Sequence, residues 1–242
     1  MRAARAALAF LTRLPAGPLD SADFARAPAW FTAVGLGLGI ASAGIWWLAA
    51  CVWPPVLAAL AAVVALLMMT GALHEDGLAD TFDGLGSGRP TERALEIMRD
   101  SRIGSFGAIA LGIVLAARVA ALAALGLGAP VALIAGQALS RAGMTLMLRR
   151  GPYVRATGAA TGMTGPMGAH RWALIGAVAL AIVITAVTLG WAVLGGLAGL
   201  VVAQLAIRGW AVARLRGITG DTLGASQALG DLGFLLGLLA CL

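Results

Sequence analysis

Charged residues are scarce in this sequence. They make up 12% of the 242 residues, whereas hydrophobic residues make up 60%. Soluble domains carry roughly 25% charged residues. Lysine is absent, so all 17 basic residues are arginines. This composition excludes an ordinary soluble domain and indicates an integral membrane protein.

Cysteine is also rare, with Cys51 and Cys241 far apart in the chain. This spacing matches neither a CxxC redox site nor a zinc site, and we interpret both residues as small apolar side chains. The net charge is +6, but no basic stripe is interleaved with aromatic residues. We therefore expect the arginines to face an anionic membrane surface, and we expect no nucleic-acid partner.

Long apolar segments occupy most of the chain. A membrane-spanning helix needs about 20 predominantly apolar residues, and about seven segments meet or approach that length. They are 28–53, 54–73, 104–125, 130–148, 172–189, 191–207 and 223–242. The fifth and sixth come from dividing one charge-free stretch at Gly190, because that stretch is too long for a single span. The sequence predicts one all-α domain over residues 1–242, a polytopic transmembrane helix bundle.

The arginines predict the orientation of this bundle. Cytoplasmic loops carry an excess of basic residues. If the seven spans alternate in direction, all but two of the 17 arginines fall on the side of the N-terminus. That side is therefore predicted to be cytoplasmic. Residues 1–15 are basic with an apolar run too short to span, which is typical of a helix lying on the membrane surface.

Four of the 11 acidic residues lie in the segment HEDGLADTFDG, directly after the second predicted span. If the segment is helical, Asp76, Asp80 and Asp83 share one face, with Glu75 to one side and His74 pointing away. A solvated acidic face is the plain alternative, but like charges at this spacing repel. Mg²⁺ takes one or two protein carboxylates together with waters and phosphate oxygens. The acidic residues therefore predict a Mg²⁺ site, and His74 is expected to pack or to form a hydrogen bond.

Arginines follow the acidic segment and also lie within the spans. Arg99-Asp100-Ser101-Arg102 stands just before the third span, where arginines either bind phosphate or form an ordinary basic flank. Arg141 lies about two turns inside the fourth span. A basic residue there costs roughly 3 kcal/mol on insertion scales, which favours a contact with substrate or with a carboxylate.

Three further features contain polar residues. Arg118 lies deeper in the third span, where its side chain either snorkels to the interface or finds a partner such as Asp231. Asp221 either caps the last helix or faces the acidic segment across the bundle. The loop GPYVRATGAATGMTGPMG, which includes Arg155, is rich in glycine and threonine and is a weak candidate for a phosphate cradle, because it lacks the Walker spacing.

These motifs resemble a known family. TGALHEDGLADTFDGLGSG followed by RALEIMRDSRIGSFG looks like the signature region of the cobalamin synthases, the adenosylcobinamide-GDP ribazoletransferases. The pieces FLTRLP, AWFTAVGLGLG, LSRAGM, GPYVRATG and GITGDTLGA extend the resemblance along most of the chain. The resemblance implies a Mg²⁺-dependent, multi-pass enzyme of the bacterial inner membrane, with its active site facing the cytoplasm. A hydroxyl of α-ribazole, or of its 5'-phosphate, attacks the pyrophosphate of adenosylcobinamide-GDP, releases GMP and forms adenosylcobalamin or its phosphate.

The residues and the resemblance together predict site roles, most of them within the active-site segment 74–103. Asp83 and Asp80 are the candidate catalytic residues. The candidate metal ligands are Asp76, Asp80, Asp83 and Glu75. The candidate substrate-binding residues are Arg99, Asp100, Arg102, Arg141, Arg155 and Asp221. Other corrin-pathway enzymes are candidate partners.

Two other classes remain as alternatives. Membrane phosphotransferases that act on CDP-alcohols also use clustered aspartates, but their pattern has AR at the position where this chain has Ala79-Asp80, and their later aspartate pair is missing here. A divalent-cation or solute transporter would place its acidic residues near the membrane midplane. Here the acidic residues are predicted at the cytoplasmic end of a span, which favours the enzyme.

Overall fold

The computed structural model describes residues 1–155, 160–163 and 166–242. Within these ranges the regular structure is helical and contains no β-strand. The α-helices are α1 (Arg2–Leu11), α2 (Ser21–Ala25), α3 (Phe31–Ala50), α4 (Pro55–Thr70), α5 (Leu73–Gly86), α6 (Thr91–Ile97), α7 (Ser105–Leu125), α8 (Ala129–Arg150), α9 (Arg171–Leu189), α10 (Ala192–Leu215) and α11 (Gly220–Leu239). The predicted all-α class is confirmed.

Each of the seven predicted spans contains one long helix: α3, α4, α7, α8, α9, α10 and α11. Apolar segments favour helices because a lipid environment requires every backbone polar group to be bonded within the segment. The predicted break at Gly190 is confirmed, since α9 ends just before it and α10 begins just after it. The φ angle of Gly190 is +60°, a conformation that glycine adopts more readily than other residues.

The number of spans depends on how two helix pairs are counted. By length and composition, the described residues contain five candidate spans, or six if α4 and α5 form one bent span. One of the five, Ser105–Arg150, has 46 residues and includes both α7 and α8. A straight helix of that length would measure about 69 Å, roughly twice the hydrocarbon thickness of a bilayer. The count of seven and the cytoplasmic N-terminus stay predictions.

The second predicted span ends earlier than expected. Helix α4 stops at Thr70, because Gly71 and Ala72 both adopt left-handed conformations with φ angles of +67° and +57°. Helix α5 then leaves at an angle of 89° to α4. The acidic segment is therefore helical, as predicted, but it forms a separate helix that turns away from the span. We treat α5 as lying outside the membrane-spanning segments.

Glycines allow the spanning helices to pack closely. Gly199 of α10 and Gly233 of α11 face each other, and a Cβ atom on either one would overlap the carbonyl oxygen of the other. Gly35 and Gly39 of α3 approach the backbone of α8 in the same way. Because lipid gives helices no hydrophobic reason to associate, close packing of this kind stabilises the bundle.

Gly199→Ala is expected to destabilise the protein by about 1–3 kcal/mol, because the added methyl group must push α10 and α11 apart. Gly209→Ala is the matched control on the same helix, since no atom beyond its chain neighbours and the backbone of its own helix turn lies within 4 Å of its Cβ position. Thermal unfolding of the detergent-solubilised protein measures both effects. Equal melting temperatures for the two variants would contradict this account of the interface.

The N-terminal helix α1 packs against the bundle. Its small apolar face is buried, including Ala6 and Leu11, and it belongs to a cluster with Phe31 and Met144. The predicted helix within residues 1–15 is therefore present. Its position at the membrane surface stays a prediction.

Candidate active site

The acidic helix α5 holds its three aspartates at different depths. Asp76 is exposed, Asp80 is half-buried and Asp83 is buried. Helical spacing puts all three on one side of α5, as predicted. The neighbouring helix α7 covers the far end of that side, so the three carboxylates have different surroundings.

Asp83 is bonded to the start of α7. Its two carboxylate oxygens accept hydrogen bonds from the backbone N–H groups of Gly104 and Gly107, at 2.7 and 2.8 Å. The first N–H groups of a helix lack intrahelical partners, and a carboxylate there also interacts favourably with the helix dipole. A Cβ atom on either glycine would collide with this carboxylate. Asp83 therefore ties α5 to α7.

The structure does not assemble the predicted four-carboxylate metal site. Among the residues it describes, no three His, Cys, Asp or Glu side chains are placed to hold a metal ion together. The physical reason is that Asp83 is bonded to α7 and Glu75 to a buried arginine. Asp76 and Asp80 remain beside each other in one cleft, and two carboxylates are a number that Mg²⁺ commonly takes from a protein.

This cleft has a volume of about 460 Å³. Besides Asp76 and Asp80, its lining includes Arg99, Asp100 and Ser101 from the segment after α6. The arginine segment thus lies against the acidic helix. The cleft combines carboxylates that can hold a cation with a guanidinium that can bind phosphate.

Negative charge is concentrated in the cleft. Burial raises the pKa of Asp80 to about 7, and the nearby carboxylates of Asp76 and Asp221 act in the same direction. A cation bound beside such a group favours its ionised form and reverses the shift. The residues present therefore fit a divalent cation with two carboxylate ligands.

Arg102 is directed to a different partner. Its guanidinium donates to both carboxylate oxygens of Asp100, at distances of 2.7 to 3.2 Å. Through these hydrogen bonds it lowers the pKa of Asp100 to about 2. The Arg102 side chain is 87% exposed. A phosphate contact by Arg102 stays a prediction.

Asp221 and Arg155 form an ion pair of 2.7 Å, and both residues line a second cavity together with Asp76. The prediction that Asp221 faces the acidic segment is confirmed. The alternative that Asp221 caps the last helix is wrong, because Thr219 caps α11 by accepting a hydrogen bond from the backbone N–H of Thr222.

Two glycines allow α5 to reach the first turn of α11. A Cβ atom on Gly77 would lie 2.8 Å from the backbone oxygen of Asp221, and one on Gly224 would lie 3.3 Å from the Cα of Gly77. Any larger residue would separate the helices. The contact between these glycines therefore brings the Asp221 carboxylate to the acidic helix.

The second cavity has a volume of about 100 Å³. Much of its lining is apolar or aromatic and includes Phe10, Phe31, Met144 and Leu148. No linear pattern in the sequence predicts this cavity, because five separate helices contribute to its lining. Its single signal in the sequence is His74, which lies beside the acidic residues and was expected to pack or to form a hydrogen bond.

Arg118 connects α5 to the core of the bundle. Its buried guanidinium lies 2.9 Å from a carboxylate oxygen of Glu75 and 2.9 Å from one of Asp231. The predicted partner Asp231 is confirmed, whereas snorkelling of Arg118 is wrong. Glu75, a predicted metal ligand, has one oxygen committed to this arginine.

Arg141 is also buried, at 1% exposure. It donates to the side-chain oxygen of Gln137 at 2.7 Å and to the Gln137 carbonyl oxygen at 3.0 Å. A substrate contact by Arg141 stays a prediction. The candidate phosphate cradle around Arg155 lies partly outside the described residues, at positions 156–159 and 164–165.

Fold and site together define a class of protein. This is an all-α bundle with several helices long and apolar enough to cross a membrane, and it has a charged cleft suited to phosphorylated substrates. Comparison with known proteins then gives the family. The family model described as CobS, cobalamin-5-phosphate synthase, matches residues 3–239, and the chain belongs to this family.

Curated relatives agree with this assignment. A protein of Azorhizobium caulinodans named adenosylcobinamide-GDP ribazoletransferase is 41% identical over 97% of this chain and 94% of its own length. A protein of Escherichia coli O17:K52:H18 with the same name is 41% identical over 97% of this chain and 98% of its own length. No solved structure matches the chain. The predicted resemblance is confirmed, and neither the CDP-alcohol phosphotransferases nor the transporters are needed to explain the acidic segment.

Proposed function

We propose that this protein transfers the adenosylcobinamide phosphoryl group from adenosylcobinamide-GDP to a hydroxyl of α-ribazole, or of its 5'-phosphate, and releases GMP. Membership of the family and the names of the relatives support this reaction. The observation that carries it is the cleft in which Asp76 and Asp80 lie with Arg99. Phosphoryl transfer depends mainly on positioning and on stabilisation of negative charge, and these side chains provide both.

In this proposal Asp76 and Asp80 hold Mg²⁺. When bound, Mg²⁺ would neutralise part of the negative charge of the pyrophosphate. Arg99 binds phosphate oxygens in the same cleft, since a guanidinium matches their geometry with two parallel hydrogen bonds. Arg99 thus holds the donor by its pyrophosphate, beside the two carboxylates that would hold the cation.

The acceptor hydroxyl needs a carboxylate that orients it and takes its proton. Asp221 lines the second cavity together with Asp76, and Asp76 also lines the cleft. We assign this role to Asp221, with Asp80 as the second carboxylate within the same acidic group. As the proton leaves, the hydroxyl oxygen bonds to the phosphorus atom bearing the cobinamide and the bond to the GMP oxygen breaks.

Asp83 has a different role in this proposal. Its hydrogen bonds to Gly104 and Gly107 fix the start of α7, directly after the segment that carries Arg99. Asp83 is therefore a positioning residue for the cleft, in place of the metal ligand and base expected from the sequence.

We place the site at the cytoplasmic side of the bacterial inner membrane, with the lipid bilayer around the bundle. The distribution of the arginines supports this orientation. Large apolar side chains on the long helices are exposed, among them Ile113, Val187 and Val202, as lipid-facing positions should be. Other corrin-pathway enzymes remain candidate partners at the cytoplasmic face.

A reconstituted assay tests the proposed reaction. The protein in detergent, given Mg²⁺, α-ribazole and adenosylcobinamide-GDP, is expected to release GMP. Removal of Mg²⁺ with EDTA is expected to stop the reaction, and excess Mg²⁺ to restore it. A folded protein that releases no GMP from verified substrates would refute the proposal.

Asp83→Asn separates the positioning role from a metal-binding role. It is expected to destabilise the protein by about 1 kcal/mol, as the loss of a helix cap does. Mn²⁺, measured by electron paramagnetic resonance as a substitute for Mg²⁺, is expected to bind within about threefold of the wild-type affinity, because Asp83 is not among its ligands. A loss of Mn²⁺ affinity as large as that of Asp80→Asn would show that Asp83 is a metal ligand.

A further inference from the structure

The second cavity is lined by a buried histidine that the proposed reaction leaves without a role. His74 is 2% exposed, and its Nε2 atom is buried without a hydrogen-bond partner. Leaving such an atom unpaired costs roughly 1–3 kcal/mol. His74 lines the cavity, so its imidazole lies beside a ligand held there.

We propose that this cavity binds the flat aromatic base of the nucleoside acceptor. This inference rests on the proposed function, and it names the place where that function takes up its second substrate. The acidic and arginine motifs of the sequence predict binding of metal and phosphate, and none of them predicts a site for a base.

The cavity wall suits an aromatic ring. The rings of Phe10 and Phe31 are stacked, with centroids 5.5 Å apart and planes inclined by 5°, and Met144 and Leu148 complete the apolar lining. The volume of about 100 Å³ is smaller than the cavity of about 150 Å³ that accepts benzene in another protein, so one edge of the base enters this cavity and the rest of the ring lies at its mouth. Methionine sulfur and aromatic edges both make favourable contacts with such a ring.

The reaction involves two bases, the guanine of the donor and the dimethylbenzimidazole of the acceptor, and the largely apolar wall of the cavity favours the second. Guanine carries several donors and acceptors along its edge, and an apolar wall would leave most of them unpaired at a high cost. The dimethylbenzimidazole base of α-ribazole has one free ring nitrogen and is otherwise apolar. An imidazole carries at least one N–H donor, and His74 lines this cavity. His74 can therefore donate to that ring nitrogen.

The remaining lining places the sugar of the nucleoside. Asp76, Arg155 and Asp221 line the same cavity as the aromatic residues, and Asp76 also lines the cleft assigned to the pyrophosphate. With the base between the apolar side chains, the ribose lies near these charged groups. Its hydroxyl is then directed toward the cleft. The cleft holds adenosylcobinamide-GDP and the second cavity holds the nucleoside acceptor, with Asp76 between them.

Filling the cavity tests the inference. In Leu148→Phe the larger ring occupies part of the space, and binding of α-ribazole, measured by equilibrium dialysis with Mg²⁺ and GMP present, is expected to weaken at least tenfold. Leu146→Phe is the matched control, since Leu146 lies on the same helix and is 47% exposed. The dissociation constant for adenosylcobinamide-GDP is expected to change less than twofold in both variants, which also reports that they are folded.

Two further variants keep the test independent of Leu148. Phe10→Ala removes a half-buried part of the wall and is expected to weaken α-ribazole binding about tenfold. His74→Phe keeps the bulk but loses the donor, so the preference for α-ribazole over 1-ribosylindole, which lacks the free ring nitrogen, is expected to disappear.

The outcomes separate this inference from the proposed function. Unchanged α-ribazole affinity in Leu148→Phe and Phe10→Ala, or no binding of α-ribazole by the wild type, would overturn the base-binding cavity. If the wild type binds α-ribazole and the cavity variants do not, but no GMP is released from verified substrates, the cavity assignment stands and the proposed reaction fails.

Discussion

Asp80→Asn is expected to lower the rate of GMP release by about 10²- to 10³-fold, the loss typical of removing one group that stabilises developing charge at an active site. The substitution keeps the shape of the side chain but removes one of the two negative charges assigned to Mg²⁺. It also removes the carboxylate whose pKa burial raises to about 7, a shift that a bound cation would reverse. Mn²⁺ affinity, measured by electron paramagnetic resonance, is expected to fall at least tenfold in the same variant.

The control for this variant is Glu92→Gln. Glu92 is exposed in α6, close in sequence to the cleft segment, and the substitution removes the same charge. Its rate of GMP release is expected to stay within about twofold of the wild type. If Asp80→Asn retained full activity and Mn²⁺ affinity while folded, the assignment of the cleft as the metal site would be wrong.

Arg118→Met is expected to destabilise the protein by about 3–5 kcal/mol, because it leaves the buried carboxylates of Glu75 and Asp231 without their positive partner. Both carboxylates lie 2.9 Å from the guanidinium. Since Glu75 precedes Asp76 on α5, the loss is expected to disturb the acidic helix as well as the core. Thermal unfolding in detergent, followed by circular dichroism, measures the loss of stability.

Two comparisons test whether the charges cause this effect. Arg102→Met, at an arginine that is 87% exposed, is expected to change stability by less than about 0.5 kcal/mol. The triple variant Arg118→Met, Glu75→Gln and Asp231→Asn removes all three charges together and is expected to recover much of the stability, since neutral groups need no ionic partner. A triple variant as unstable as Arg118→Met alone would show that shape, and not charge, is the cause.

Local sequence patterns were sufficient for a large part of this protein. The apolar segments predicted the long helices, and the break at Gly190 followed from the length of one segment. The spacing of Asp76 and Asp80 predicted that they lie on one side of a helix. These features depend on residues close together in the chain, where helix geometry and the needs of a backbone in lipid leave few options.

Tertiary structure decided which polar residues meet. The turn at Gly71 and Ala72 directs α5 away from α4, and no periodicity in the sequence predicts its angle. Asp83 lies on the predicted side of α5, yet its carboxylate is occupied by the start of α7. The pairing of Glu75 with Arg118 likewise depends on how α5 and α7 pack.

The contact of α5 with α11 and the cavity lined by His74 depend on segments that are distant in sequence. Side chains on different helices can approach only where glycines and small residues let the backbones come close, as Gly77 and Gly224 do. That fit is a property of the whole packed bundle, in which each contact depends on several helices at once. For this reason the sequence predicted the acidic helix and the arginine segment, whereas only the packing of α1, α3, α5, α8 and α11 reveals the second cavity beside them.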